Sequence, residues 1–163
     1  LSECRRGAGA DHKGDTMNFS IVIDTREQHP YSFPCEIVNR ALAAGDYSVA
    51  GLEERVAVER KSLHDFVNTV IHDYGRFSRE LLLLSTYDRA CIVVEADLDA
   101  VLRGMRQEDL RGAKPESVLG ATLHIMLEFG VPVVWCGSRQ AARAFTEMYL
   151  RMAVRKLGKQ FSN

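Results

Sequence analysis

The sequence lacks several features that would assign it to a special class. Its longest apolar runs, such as Leu81 to Leu84, fall far short of the roughly 18 residues that a membrane-spanning helix needs. Its four cysteines form no Cys-x-x-Cys pair and have no neighbouring histidine cluster, which argues against a zinc site. The first 16 residues lack the apolar segment of a secretory signal. We therefore expect an intracellular protein.

The composition is that of an ordinary globular domain. The chain has 163 residues, of which 46% are hydrophobic and 26% are charged, so wholesale disorder is not expected. The net charge of −1 excludes a protein that holds nucleic acid by bulk positive charge alone. We expect a flexible lead-in at residues 1–16, one domain at 17–158 and a short tail at 159–163.

Strand-like runs alternate with helical patterns along this domain, which predicts an α/β fold. The strand-like runs are Phe19–Asp24, Asp46–Ala50, Arg55–Lys61, Cys91–Ala96 and Pro132–Cys136. The helical patterns are an apolar stripe from Leu63 to Tyr74, then Arg76–Tyr87, Glu116–Phe129 and Gln140–Leu157, the last two ending at Gly130 and Gly158. Residues 97–114 are predicted to mix helix and loop.

The stretch from Gly45 to Lys61 predicts a β-hairpin. If residues 51–54 form a four-residue connection, a common length, Ala50 pairs with Arg55 and Asp46 lies opposite Glu59. Because side chains alternate between the two faces of a strand, one face is apolar and the other carries the polar residues. The apolar face has Tyr47, Val49, Val56 and Val58, and the other face has Asp46, Ser48, Ala57, Glu59 and Lys61.

Asp46 and Glu59 would be close neighbours of like charge in this hairpin. Directly opposed side chains have Cβ atoms about 4.5–5.5 Å apart, where two like charges are destabilising. A divalent cation such as Mg²⁺, commonly held by one or two carboxylates, would offset that repulsion. The ammonium of Lys61 points to the same side and could hold a phosphate oxygen or an attacking water. The alternative is a solvated polar sheet face on which Asp46 is a turn residue.

Two further acidic residues extend this candidate site. Asp24 closes the first apolar run and is followed by Arg26 and Glu27, and sites of α/β proteins gather at strand ends. Together with the hairpin carboxylates, Asp24 is predicted to face the metal, although alone it could equally cap a turn. Asp65 completes a Ser-x-x-Asp capping pattern that begins at Ser62, so both helix capping and support of the site remain open for it.

Three short motifs in this order resemble the nuclease domain of the XPF/Hef structure-specific endonucleases. The chain has Val-Ile-Asp-Thr-Arg-Glu at residues 22–27, Gly-Asp-Tyr at 45–47 and Val-Glu-Arg-Lys-Ser-Leu-His-Asp at 58–65, which match the family's GD…ERKxxxD signature. The resemblance extends over nearly the whole predicted domain. It implies a restriction-endonuclease-like core with a mixed central sheet flanked by helices.

The resemblance also implies a role for each matching residue, with Mg²⁺ or Mn²⁺ as the cofactor. It makes Asp24, Asp46 and Glu59 metal ligands, Lys61 the catalytic lysine, and Arg60 and Asp65 required catalytic neighbours. Arg26 and Glu27 join the first motif as substrate-binding candidates, and Arg76 is a further candidate for phosphate contact. The hairpin alternation places Arg60 on the opposite face, where a contact with Asp24, Asp65 or a DNA phosphate would reconcile the two views.

The implied activity is metal-dependent hydrolysis of one phosphodiester bond in branched DNA, such as a flap or fork, during repair or recombination. It implies a location at the nucleoid or in the cytoplasm of a microbe, or in the nucleus of a eukaryote. A homodimer through the nuclease domain is also implied, and Phe145, Met148, Tyr149 and Met152 could supply its surface or pack in the core. The alternative is a non-catalytic nuclease-like module that dimerises with an active subunit or binds branched DNA without cutting it.

Overall fold

The computed structural model describes residues 19–104 and 110–158, which form six strands and five helices. The predicted lead-in and tail lie outside the described residues. The strands are β1 (Ile21–Ile23), β2 (Ile37–Asn39), β3 (Tyr47–Val49), β4 (Val56–Lys61), β5 (Arg89–Val94) and β6 (Val133–Trp135). The helices are α1 (Leu63–His72), α2 (Tyr74–Leu84), α3 (Leu98–Gly104), α4 (Pro115–Phe129) and α5 (Arg139–Gly158).

All six of these strands belong to one mixed sheet, in the order β2-β1-β3-β4-β5-β6. β3 runs antiparallel to both of its neighbours, β1 and β4. The pairs β1–β2, β4–β5 and β5–β6 are parallel. Because parallel neighbours need a long crossover, helices fill the connections after β4 and β5. This topology confirms the predicted α/β fold with a mixed central sheet.

Helices cover both faces of the sheet. On one face, Ala57 and Ile92 pack with buried residues of α1, α2, α3 and α4. On the other, Val56, Val58 and Val93 pack with buried residues of α5. Neither face of the hairpin is therefore open to solvent. Polar side chains on the same face as Ala57 lie between the sheet and the helices, except where they reach the end of the strands.

The hairpin register agrees with the sequence prediction, since Tyr47 pairs with Val58. One difference is that Asp46 precedes β3 instead of starting it. Its N–H donates to the carbonyl of Val58 at 2.9 Å, whereas its side chain accepts the N–H of Arg60 at 2.7 Å. The carboxylate thus replaces a backbone partner at the end of the ladder, which fixes the Asp46 side chain against β4.

The helix boundaries follow local capping. Ser62 is the N-cap of α1, because its hydroxyl oxygen accepts the N–H of Asp65 at 3.1 Å. The chain then breaks at Asp73, so Tyr74, predicted as the last residue of the α1 stripe, instead begins α2. Gly130 ends α4 in the left-handed conformation, with φ of 65°, as the sequence predicted.

One strand was not predicted from the sequence. β2 has three residues, lies at the edge of the sheet and is only partly buried, so it lacks the sustained apolar run that marks a strand. The other five strands overlap the predicted ones, and α3 occupies part of the predicted mixed segment. Among the described residues, no helix combines the length and apolar character needed to cross a membrane.

Candidate functional site

Two adjoining clefts lie where β1 and β4 end and β3 begins. Their volumes are about 480 and 320 Å³. Four side chains line both clefts, namely Arg26, Asp46, Glu59 and Lys61. Asp24 and Arg76 line only the larger cleft, and Glu27, Arg60 and Asp65 line only the smaller one. The structure therefore brings all nine predicted site residues to one end of the sheet.

Asp24 follows β1, is 2% exposed and is held by hydrogen bonds from within the chain. Its Oδ1 accepts the N–H of Arg26 at 2.7 Å and the Nε of the same residue at 2.8 Å. Its Oδ2 accepts Arg26 Nη2 at 2.8 Å and the N–H of Leu42 at 2.6 Å. Burial opposes ionisation, but these hydrogen bonds outweigh it and hold the pKa of Asp24 below its usual value. A metal ion at Asp24 would have to displace some of these donors.

Asp46 is placed by the glycine before it. Gly45 has φ of 78°, and a Cβ there would lie 3.0 Å from the Cβ of Ala57 and 3.3 Å from the carbonyl oxygen of Val58. Only glycine fits this close approach without strain. Asp46 Oδ2 accepts the N–H of Arg60, and no described residue donates a hydrogen bond to Oδ1. Burial is the main cause that raises the pKa of Asp46 to about 6, and the charge of Glu27 adds to it.

Glu59 and Lys61 form an ion pair in the same clefts. Lys61 Nζ lies 2.6 Å from Glu59 Oε1 and 5.0 Å from the ring centroid of Phe77. Glu59 is 4% exposed, and burial followed by the charge of Asp46 raises its pKa well above the usual value. Burial opposes the charge of Lys61, yet the Glu59 carboxylate outweighs it and raises the pKa of the lysine. Lys61 therefore stays protonated at neutral pH.

The carboxylates suit a site with two metal-binding acids better than one with three. Among the described residues, no group of three or more His, Cys, Asp or Glu side chains is arranged so that it could hold a metal ion. Glu59 is buried and Asp46 is half-buried. Their charges oppose each other, and each has an oxygen that no described residue hydrogen-bonds. Oxygen ligands of this kind, completed by water and substrate phosphate, suit Mg²⁺. Metal binding itself stays a prediction.

Arg60 lies on the opposite face of β4 from Glu59, as the alternation predicted. It contacts neither Asp24 nor Asp65 among the described residues, and a contact with a DNA phosphate stays a prediction. Arg60 Nε lies 2.9 Å from Glu27 Oε2, and Nη1 lies 3.2 Å from Glu95 Oε2. Burial opposes ionisation of Glu27, but the hydrogen bond from Arg60 outweighs it and lowers the Glu27 pKa. This pairing favours a positioning role for Glu27 over direct contact with substrate.

Asp65 and Arg76 occupy the rim of the clefts. Asp65 is exposed, and its Oδ2 accepts the hydroxyl of Ser62 at 2.7 Å while its N–H donates back to that hydroxyl oxygen. The capping alternative for Asp65 is therefore confirmed, and support of the site stays a prediction. Arg76 is exposed and pairs with Asp73 at 2.8 Å. Because ion pairs on the surface contribute little free energy, a phosphate could replace Asp73 as the partner of the Arg76 guanidinium.

Sequence reasoning missed three charged residues near the predicted ones. Glu80, on α2, lines the larger cleft and accepts the N–H of Gly45 at 3.3 Å. Glu95 directly follows β5, so the strand-end rule that identified Asp24 could also have found it. Arg139 is the first residue of α5, where a cation is unfavourable to the helix dipole, which signals a partner elsewhere. No pattern in the sequence singles out Glu80.

The sequence resembles a known domain family and a longer curated protein. The ERCC4 domain family matches residues 23–148. A curated protein of Methanocaldococcus jannaschii, described by name as an ATP-dependent RNA helicase, is 31% identical over 118 residues, which are 71% of this chain. The chain spans only 13% of the length of that relative.

Two solved structures resemble the fold. XPF from Aeropyrum pernix has a TM-score of 0.65 and 21% identity, with 86% of this chain and 67% of that chain covered. XPF from Aeropyrum pernix in complex with DNA has a TM-score of 0.62 and 20% identity, with 85% of this chain and 66% of that chain covered. At these identities the likeness shows the fold.

Proposed function

The chain belongs to the ERCC4 domain family of XPF-type nucleases, and from that premise we propose that it is a metal-dependent endonuclease that cuts one strand of branched DNA. The proposed substrates are flaps and forks, and the proposed cofactor is Mg²⁺ or Mn²⁺. The similar Aeropyrum pernix XPF in complex with DNA supports DNA as the substrate class. The preference for a branch is inferred from the motifs that resemble the XPF/Hef endonucleases.

One observation carries the proposal. Asp46 and Glu59 share a cleft, both have raised pKa values from burial, and Lys61 stands beside them. Two neighbouring acids of like charge, one buried and one half-buried, are costly unless a positive charge lies between them or nearby. Lys61 neutralises one of the two charges, which leaves one negative charge for a divalent ion and substrate phosphate to balance.

Different residues of the clefts would have different roles in phosphodiester hydrolysis. A divalent ion held by Asp46 and Glu59 would polarise the phosphate and lower the pKa of a bound water. Lys61 is protonated, so it serves as a donor that orients a phosphate oxygen or the attacking water, and it cannot act as the base that first removes a proton. Arg26 and Arg76, both exposed at the larger cleft, are the proposed contacts to DNA phosphates.

The test is cleavage of end-labelled flap, fork and plain duplex DNA, with and without Mg²⁺. We expect nicking near the junction of the branched substrates and none without metal. The variant Asp46→Asn should abolish cleavage and retain DNA binding in a gel-shift assay. A matched control is Asp88→Asn, because Asp88 is a surface acid paired with Arg55 outside both clefts. Binding of flaps without cutting would select the non-catalytic alternative.

A second readout does not depend on cleavage. A ligand that binds the native state alone raises the melting temperature by mass action. Mg²⁺ should therefore raise the melting temperature of the wild type and of Asp88→Asn, and Asp46→Asn should blunt that rise. An equal response from all three proteins would show that no ion binds at Asp46.

We also propose that two nuclease domains form a homodimer. Of the four candidate residues on α5, Phe145 and Tyr149 pack against the core, whereas Met148 and Met152 are 58% and 42% exposed. Exposed methionines on one helix face suit a contact surface. Sedimentation velocity should therefore give a dimer for the wild type and a monomer for the double variant Met148→Lys/Met152→Lys. A wild-type monomer at high concentration would refute the dimer.

A further inference from the structure

We propose that Glu95 and Arg139 are positioning residues for the reaction at Asp46 and Lys61. They would hold Arg60 and the loop after β1 in the geometry that catalysis needs. This inference rests on the nuclease function proposed above. Neither residue belongs to the three motifs, and Arg139 comes from α5, a helix that lines neither of the two catalytic clefts.

Glu95 is the centre of a polar network directly after β5. Its Oε1 accepts the hydroxyl of Tyr31 at 2.8 Å and Nη1 of Arg139 at 2.8 Å. Its Oε2 accepts Nη1 of Arg60 at 3.2 Å. The side chain of Glu95 is 10% exposed, so one carboxylate with little access to water joins three separate segments of the chain. Loss of its charge would leave Arg60 paired with Glu27 alone, and Arg139 with only the carbonyl oxygens of His29 and Pro30.

Arg139 ties the loop after β1 to α5. Its Nη2 donates to the carbonyl oxygens of His29 at 2.6 Å and Pro30 at 3.2 Å. Its guanidinium also lies 4.7 Å from the ring centroid of Tyr31. The planar fork of arginine makes all of these contacts at once, which the single ammonium of a lysine cannot do. The loop that starts with Asp24 is thus fixed near its middle by Arg139.

The network reaches the catalytic side chains through Arg60. The guanidinium of Arg60 is shared by Glu27 and Glu95, whereas the backbone N–H of Arg60 donates to Asp46 Oδ2 at 2.7 Å. Arg60 is also the residue between Glu59 and Lys61 on β4. The Arg60 side chain thus links this network to the residue whose amide holds Asp46. Outer partners of this kind commonly change activity by about 10–100-fold when they are lost.

The four charges of the network balance in pairs. Glu27 and Glu95 carry two negative charges, and Arg60 and Arg139 carry two positive ones. Glu27 is further fixed by the N–H of His29, which donates to its Oε1 at 2.6 Å. A closed and balanced set of charge-assisted hydrogen bonds is rigid, because each member limits the movement of the others.

The kinetic test uses Glu95→Gln and Arg139→Gln on a cleavable flap. We expect kcat to fall by about 10–100-fold with KM for DNA unchanged, since positioning acts on the transition state. Glu147→Gln is the matched control, because Glu147 also bridges two arginines, Arg143 and Arg151, on the same helix but away from the clefts. It should leave kcat unchanged at a comparable change in melting temperature.

Two further variants separate positioning from general structural damage. The double variant Glu95→Gln/Arg139→Gln should be little worse than either single variant, because residues of one network are not additive. Arg139→Lys should recover part of kcat, since it keeps the charge opposite Glu95. If activity falls only in proportion to the melting temperature, or if Glu147→Gln lowers kcat equally, the proposal is overturned.

A readout independent of cleavage keeps the two proposals distinct. Hydrogen exchange of the Arg60 amide, measured by nuclear magnetic resonance, reports whether its bond to Asp46 opens. Glu95→Gln and Arg139→Gln should lose protection at this amide, and Glu147→Gln should not. If the wild type cuts no DNA, the nuclease proposal fails, and unchanged Arg60 protection in both variants would then also refute the network. Should Glu95→Gln not fold, the more exposed Arg139→Gln decides the result.

Discussion

Replacing Gly45 by alanine tests whether the backbone next to Asp46 requires a glycine. Gly45 precedes Asp46 and has φ of 78°, in the left-handed region that side chains avoid. A Cβ at this position would lie 3.0 Å from the Cβ of Ala57 and 3.3 Å from the Val58 carbonyl oxygen. Both contacts belong to the buried strand β4, which cannot move aside as a flexible side chain would.

The expected cost has two parts. The left-handed conformation costs an L-residue about 1–2 kcal/mol. Forcing an extra methyl group against a packed strand costs about 1–3 kcal/mol more. Gly45→Ala should therefore destabilise the protein by about 2–5 kcal/mol in total. Gly51 offers a matched control, because it has φ of 84° and a Cβ placed there would have no neighbouring atom within 4 Å. Gly51→Ala should therefore cost only the conformational strain of about 1–2 kcal/mol.

Urea denaturation of the wild type and the two variants measures both costs. The urea concentration at the midpoint of unfolding should fall for both variants at a constant m-value. It should fall further for Gly45→Ala, because only that variant also forces a methyl group against β4. The effect of alanine on the unfolded chain is common to both variants and cancels in their difference. Equal destabilisation of the two variants would refute the claim that Gly45 is required for close packing against β4.

Three other outcomes are expected. Tyr47→Phe should cost about 1–3 kcal/mol in thermal or urea unfolding, because its hydroxyl accepts the buried N–H of Tyr31 at 2.9 Å and that donor would be left without a partner. Tyr87→Phe should be neutral or stabilising in the same assay, because its buried hydroxyl has no partner among the described residues. Glu27 has a lowered pKa, so its stabilisation is present above its unfolded value of 4.5 and is lost as the pH falls through the folded value. Glu27→Gln should therefore flatten the acid side of the stability–pH curve, and an unchanged slope would contradict the Arg60 pairing.

The parts of the fold that could be predicted are those with strong local patterns. The alternation of side chains in the hairpin gave the correct register at Tyr47 and Val58, because one buried face leaves only one suitable pairing. The capping pattern at Ser62 located the start of α1. β2 could not be predicted, because three partly exposed residues are stabilised by pairing with β1 and carry little signal of their own.

The candidate site could be predicted only where its residues lie close together in the sequence. Asp46, Glu59 and Lys61 were identified correctly as neighbours because a two-stranded hairpin fixes their spacing. The partners of Arg60 could not be identified, since Glu95 lies 35 residues along the chain and meets it only through the pairing of β4 with β5. Long-range contacts of this kind depend on the topology of the whole sheet.

The distribution of positive charge among the acids distinguishes Asp46 from the other carboxylates near the clefts. Asp24, Glu27 and Glu95 each accept hydrogen bonds from an arginine side chain, and Glu59 has Lys61. Among the described residues, none places a cationic side chain within ion-pair distance of Asp46, whose pKa is raised to about 6 by burial. A carboxylate that is desolvated without a cationic partner is less stable than its neighbours, so a bound cation gains most from contact with it. Asp46, rather than Asp24, is therefore where we expect the ion to bind first.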